Sequence, residues 1–500
     1  MSDAISQSSD KDSKKADKPE EVTQRFLDAI SAVPTLKKAA DEALLDDTEH
    51  AHFNYFVDHS DPKTGLTRDR SQADSAASIA AVGFSLTSYP IGVERGWIKR
   101  EEAADYTLKV LRTLWNTPQG DKADGESGYH GFFYHFLDPK TGTRAWKSEL
   151  STIDTALLMS GVLFSKNYFN GDSKDEQEIR DLADKLYQRV DWQWALNKDN
   201  RVSMGWNPES GFIKYDWQGY CEGMVLLLLG MGSPTHPLPK SVWDKFTSTE
   251  STYTYGGQTY IDFRPLFGHQ YSQAWIDFRG INDAKNKQLG FDYFENSRRA
   301  TLAQYEYGQK NPLGFKDYSK YDWGWTACDG PGDAFNQQGL QPRNSFLAPR
   351  FQALTHAEPA TQAGRNTLNN YFALAPRANH FFSYIARGAP ESTDDGTIAP
   401  TAAASSIAFA PEVVLPTLYH WRLNRPEIWS RDGFKDAFNP TADPKKPSGW
   451  VDTDSLGIDQ GPIVLMTENY RSGMVWDTMK KDPYLVKGLK QAGFTGGWLK

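Results

Sequence analysis

Hydrophobic positions along the chain recur mostly at helical spacing. The pattern covers residues 24–58, 73–89, 99–116, 150–169, 174–196, 218–231, 238–248, 290–308, 402–423 and 459–479. Two kinds of segment alternate. The runs 99-KREEAADYTLKVLRTLW-115 and 176-EQEIRDLADKLYQRVDW-192 carry one apolar stripe each. The run 152-TIDTALLMSGVLF-164 is apolar nearly all round, and a helix of that kind belongs in an interior. Outer amphipathic helices alternating with inner apolar ones predict an all-α fold of two nested layers, an α/α barrel or toroid. A solenoid would use similar helices, but no motif repeats at a fixed period.

Short strand pairs interrupt the helices. DPKTG occurs at 61–65 and again at 138–142, with Pro early and Gly late, as a tight turn requires. The second copy joins 129-YHGFFYHFL-137 to 143-TRAWK-147 in an expected hairpin. Another is expected in 201-RVSMGWNPESGFIKYDW-217, turning at Asn207–Gly211. The stretch 329–364 is poorly periodic and long for a loop in a compact domain, so it reads as functional or mobile. Residues 1–23 are nearly free of large apolar side chains and are expected to be disordered. No composition break divides the remainder, so 24–500 is expected to be one domain with β-hairpins on its rim.

Composition changes this picture in a few places. Aromatic residues make up 13% of the chain, with 16 Trp, more than a core alone requires. The net charge of −9 suits neither a phosphate backbone nor an anionic membrane, so no nucleic-acid partner is expected. Two cysteines, Cys221 and Cys328, make neither a disulfide framework nor a zinc set; one bridge or two buried thiols both remain open. No apolar run reaches the roughly 18 residues of a membrane helix, and the first residues lack the apolar core of a signal peptide. The chain is therefore expected either in the cytoplasm or, after removal of a leader, in the periplasm. The periplasm is preferred.

The chemistry concentrates where polar segments meet apolar helices. In 211-GFIKYDWQGYCEGMVLLLLGMG-232, Glu222 stands at such a seam. A desolvated, unpaired carboxyl is costly in its charged form and has a raised pKa. A protonated carboxyl in a cleft is what a general acid needs. Asp459, in 457-GIDQGPIVLMTENY-470, is expected at a helix N-terminus, which favours its ionised form and suits a general base. Asp154 completes S-x-x-D with Ser151, and a capping role explains it equally well. Asp394 and Asp395 precede Gly396 and also read as turn residues. Trp217 and Trp325 are candidates for stacking on sugar rings, although Trp206, Trp217, Trp323 and Trp325 also fit a core. His236 and His269 read as local hydrogen-bonding residues. There is no G-x-S-x-G, no GxxxxGK[ST] and no H-E-x-x-H.

Several stretches taken in order resemble the glycoamylase-like family, which includes bacterial endo-β-1,2-glucanases of glycoside hydrolase family 144 and, as a related group, the transglycosylase domain of cyclic β-1,2-glucan synthases. They are 64-TGLTRDRS-71, 90-PIGVERGWI-98, 153-IDTALLMSGVL-163, 219-GYCEGM-224, 233-SPTHP-237, 323-WGWTACDGP-331, 395-DGTIAPTAAASS-406 and 457-GIDQGPIVLMTENYRSG-473. The resemblance implies an (α/α)6 barrel and an inverting hydrolase of β-1,2-linked glucan needing no metal or other cofactor. It implies Glu222 as general acid and Asp459 as general base, with the proton able to pass through a substrate hydroxyl or a water. It also implies that Asp154, Asp395, Arg68 and Asp329 bind glucose units. The segment 331–390 is longer than the family pattern, which leaves endo against chain-end action, and hydrolysis against transglycosylation, open. A non-catalytic glycan-binding protein is the remaining alternative. A monomer or weak homo-oligomer is expected.

Overall fold

The structure, a computed structural model, describes residues 17–332 and 381–500. Its helices are α1 (Pro19–Ser31), α2 (Pro34–Asp58), α3 (Ile79–Glu94), α4 (Arg100–Asn116), α5 (Thr152–Tyr168), α6 (Lys174–Arg189), α7 (Gly223–Gly232), α8 (Lys240–Thr247), α9 (Phe267–Trp275), α10 (Ala284–Leu289), α11 (Tyr293–Lys310), α12 (Pro400–Ala404), α13 (Pro411–Asn424), α14 (Gly457–Arg471), α15 (Met474–Met479) and α16 (Pro483–Ala492). Six of them, α3, α5, α7, α9, α12 and α14, are buried along almost their whole length. They form a closed ring. Each packs on the next, from α3 through α5 and α7 to α9, and from α12 through α14 back to α3. The amide of Gln270 in α9 closes the remaining gap, donating to the Ala402 carbonyl at 2.8 Å and to Ser406 at 2.9 Å. Amphipathic helices such as α2, α4 and α6 lie outside the ring. This is the (α/α)6 barrel.

Close approach of the inner helices depends on glycine. A Cβ on Gly83 would lie 2.4 Å from the Leu157 carbonyl oxygen, and one on Gly161 would lie 2.1 Å from that of Gly83. The pair lets α3 and α5 touch backbone to backbone. At the rim, a five-stranded antiparallel sheet runs in the order 128–129, 132–134, 150–151, 205–207, 211–212. Its last pair is the expected hairpin, with Asn207 opposite Gly211. Both DPKTG turns place their glycine, Gly65 and Gly142, at positive φ.

Several expected boundaries shift for identifiable reasons. The span 24–58 is two helices, because Pro34 starts a new one. The span 459–479 divides at Gly473, which adopts positive φ, and 402–423 divides before Pro411. The helix expected from 73 starts only at Ile79, where Ser78 accepts from the Ala81 N–H. Helix α9 was not expected at all: its buried His269, Gln270, Ser272 and Gln273 hide the apolar pattern. In the N-terminal segment α1 already begins at Pro19, so 19–23 is helical; the expectation for 1–16 lies outside the described residues, as does most of the 329–364 loop. Cys221 and Cys328 are both free and buried. No helix among the described residues is long and apolar enough to cross a membrane.

Candidate active site

The inner helices bring their N-terminal ends to one mouth. Trp217, just before α7, donates from its indole N–H to Thr152 at the start of α5, at 2.9 Å. Ser272 of α9 donates to the Glu222 carbonyl at 2.9 Å, and Thr401 of α12 donates to the Asp459 carbonyl at 3.2 Å. Arg70 pairs in a β-bridge with Leu456, the residue before α14. Glu222, Asp154, Asp459 and Arg70, scattered over almost four hundred residues of sequence, therefore meet because each sits at the start of an inner helix or in a loop bridged to one.

Glu222 is the N-cap residue of α7. Part of its side chain is open to the mouth, but Oε2 is sealed and has no hydrogen-bond partner. Burial pushes the carboxyl up to about 7, and the charge of Asp154 adds to the effect. The raised value expected from the sequence is thus found. Trp217 fixes the approach to this residue. Its ring lies so close to Gly223 that a Cβ there would come within 2.9 Å.

Asp459 sits in the first turn of α14, 3% exposed, with Oδ2 unpartnered. Its expected low pKa is not found. Burial pushes it up to about 7, with the charges of Asp329 and Asp69 adding, although a hydrogen bond with Asp436 and the charge of Arg70 work the other way. A helix terminus offers only about half a charge, which does not offset desolvation beside several carboxylates. Asp436 is pushed well up too, by burial and by the charge of Asp459. Both carboxyls are thus raised, and the two titrate as a coupled pair that shares a proton.

Around this pair stands an acidic cluster into which Arg70 reaches. Arg70 is ion-paired with Asp329, and lies 3.6 Å from both Asp69 and Asp454. The Asp329 N–H donates to Asp436 at 2.6 Å. Asp329, Asp436 and Asp452 bring one carboxylate oxygen each within 4.8 Å of one another; with Arg70 already holding Asp329, their negative charge is partly met by the chain itself. On the other side of Glu222, Asp154 is hydrogen-bonded by Ser151, its cap partner. His135 lies 3.7 Å from Asp154 and 2.8 Å from Glu149. Burial opposes its charged form, but the carboxylates of Asp154, Glu149 and Asp69 prevail and hold His135 up to about 9. Tyr271 of α9 is 8% exposed and within electrostatic reach of Asp459, Glu222 and Asp154. Tyr384 is 55% exposed beside Asp459 and Asp436.

Of the expected substrate ligands, Asp154 and Asp329 are in this mouth. Arg68 precedes it: its backbone bridges Ala77, its carbonyl accepts from Tyr55, and its guanidinium has no partner among the described residues. Asp395 is corrected. It is fully buried, and its two oxygens accept from Arg387 at 2.9 Å twice, from the Phe382 N–H at 2.9 Å and from the Thr397 N–H at 3.2 Å. No acceptor capacity is left for a sugar, so Asp395 holds a loop. Asp394 does likewise through Tyr307, Tyr318 and the Gly396 N–H. Trp325 is also corrected: it has no exposed surface, and its indole N–H is bound by Tyr318 at 2.9 Å. Trp217, at 6% exposure, supports Glu222 instead of offering a face to a sugar ring. Sequence reasoning missed Asp436, His135, Tyr271, Tyr384 and Arg70. Only Arg70 left a signal, lying in the TGLTRDRS stretch.

Comparison with known proteins agrees with this architecture. A glycoamylase family model, described as "Putative glucoamylase", matches residues 214–483. A curated relative, an exo β-1,2-glucooligosaccharide sophorohydrolase (non-reducing end) of Parabacteroides distasonis, is 26% identical over 93% of this chain. The chain spans 60% of that relative's length. A Bacteroides uniformis crystal structure with the same description as the family model is 29% identical, with a TM-score of 0.75 over 92% of this chain and 99% of its own. An endo-β-1,2-glucanase from Chitinophaga pinensis, solved with sophorotriose and glucose, is 25% identical, with a TM-score of 0.74 over 92% and 99%.

Proposed function

The chain belongs to the glycoamylase family, and from that premise we propose that it is an inverting glycoside hydrolase of β-1,2-linked glucan. The observation that carries the chemistry is the pair of carboxyls at the barrel mouth, half-buried Glu222 and buried Asp459, each with a sealed, unpartnered oxygen and each raised to about 7. Names of the relatives support the linkage: a sophorohydrolase and an endo-β-1,2-glucanase both act on β-1,2-glucans or their oligosaccharides.

In this reading Glu222 enters protonated. It gives its proton to the leaving glycosidic oxygen, directly or through a substrate hydroxyl or a water, as the C–O bond breaks. Asp459 enters ionised and takes a proton from the water that attacks the anomeric carbon from the opposite face. Atoms balance with water as the only co-substrate. The base step uses the state of the carboxyl pair in which Asp436 carries the shared proton and Asp459 is ionised. Arg70 limits the repulsion among the carboxylates.

Internal cutting is the first choice, as in the Chitinophaga protein; release from the chain end has the Parabacteroides relative in its favour. Time courses on linear β-1,2-glucan separate the readings. Early products of many lengths mean endo action. One short product from the start means chain-end action. Chains longer than the substrate, without new reducing ends, mean transfer and would overturn hydrolysis.

A further inference from the structure

Away from the carboxyls, one large side chain is displayed in a way that packing does not explain. Trp146 is 71% exposed, the most exposed of the large hydrophobic residues among those described. Its φ is +53°, a left-handed conformation that a bulky residue rarely adopts and that glycine or asparagine fills more readily. The strain is held in place. Trp146 stands in a turn closed by the Ser148 N–H donating to the Ala145 carbonyl. The adjoining Arg144, almost fully buried, donates to the Ser148 carbonyl at 2.7 Å and pairs with Glu209 at 2.8 Å. Backbone strain kept by surrounding structure points to use.

The ring also stands in line with the site. Trp146 packs on Phe136 at 5.5 Å, and Phe136 stacks on His135 at 3.9 Å and 15°. His135 in turn faces Asp154 at 3.7 Å. Thus a row of rings in contact links Asp154 to an exposed indole. A flat, solvent-exposed aromatic face matches a glucosyl ring, whose C–H face stacks on aromatic carbon while its hydroxyls remain solvated.

We propose that Trp146 is a stacking platform for a glucosyl unit of the bound chain, at a subsite remote from the cleaved bond on the Asp154 side. It rests on the proposed function, since it assumes a glucan in the mouth. It makes Trp146 a determinant of chain length, a binding residue and not a catalytic one. A remote contact of this kind acts on chains long enough to reach it and leaves a short substrate alone.

Two measurements test it, using the full chain, Trp146→Gly and Trp146→Tyr. Kinetics on long linear β-1,2-glucan should show KM raised about 3- to 10-fold in Trp146→Gly, as loss of one aromatic contact implies, with kcat unchanged. Sophorotriose kinetics should be unchanged, and Trp146→Tyr should restore most of the long-chain affinity. Native electrophoresis through gels containing β-1,2-, β-1,3-, β-1,4- or β-1,6-glucan reads binding by a signal other than reducing-end release. Wild type should be retarded by at least one glucan, and Trp146→Gly less so. Trp146→Gly should melt no lower than wild type, because glycine relieves the left-handed turn. Equal retardation of wild type and Trp146→Gly, no retardation by any glucan, or equal loss on short and long substrates would each overturn the platform. Failure of the hydrolase reading looks different: wild type would bind a glucan through Trp146 yet release no reducing ends.

Discussion

At the scale of single residues the account turns on two carboxyls and their protons. Catalysis by this pair needs Glu222 protonated and Asp459 ionised, and both are raised to about 7. The pH dependence of kcat/KM should therefore be a narrow bell centred near neutrality, with its acid limb set by Asp459 and its alkaline limb by Glu222. A broad plateau from pH 5 to 9 would contradict the assignment. Asp395 makes a contrasting prediction. Truncating Arg387 to Ala leaves that carboxylate buried and uncompensated, at a cost of about 3–5 kcal/mol. Denaturant unfolding should show the loss in stability, whereas a substrate ligand would show it mainly in KM.

Helices explain both what the sequence revealed and what it concealed. Inner helices α5 and α7 were legible because burial on all sides leaves an unbroken apolar run. So was Glu222, because a lone charge at the start of such a run has no local partner. Helix α9 was invisible because its interior is lined with hydrogen-bonded polar groups, and Tyr271 was lost with it. Asp436 lies in an irregular loop and gains its meaning only from Asp459, a tertiary neighbour. Asp459 was placed correctly on its helix but given the wrong protonation behaviour, because helix position is local and the surrounding carboxylates are not. Asp395 and Trp325 were misread for the same reason: their partners Arg387 and Tyr318 are brought to them by loops. The contact between α3 and α5 gives an element-scale prediction. Gly83→Ala forces a Cβ against the Leu157 carbonyl and should destabilise by at least about 2 kcal/mol, measured by urea unfolding. An unchanged midpoint would mean that the helices are not in backbone contact.

Across the whole molecule, buried carboxyls set how stability responds to pH. Glu222, Asp459, Asp394 and Asp452 are all raised by burial, to about 7, 7, 6 and 8, and Glu49 and Glu250 are raised as well. Such groups bind more protons folded than unfolded between their ordinary values and their folded ones. Stability must therefore fall as pH rises through that window. Groups with lowered values, such as Asp322, Asp395 and Asp277, contribute stability that is lost only in stronger acid. The melting temperature should peak in mild acid, near pH 4–5, and decline by several degrees toward pH 8. A peak above pH 8 would mean that these carboxyls are not buried as described.

The most direct test of the central claim is reducing-end release from linear β-1,2-glucan by wild type, Glu222→Gln and Asp459→Asn, with melting temperatures taken alongside. Wild type should release new ends, and each variant should lose about 10²–10⁴-fold in kcat while remaining folded. Near-native kcat in a folded Glu222→Gln protein would show that the carboxyl at the head of α7 is not the proton donor.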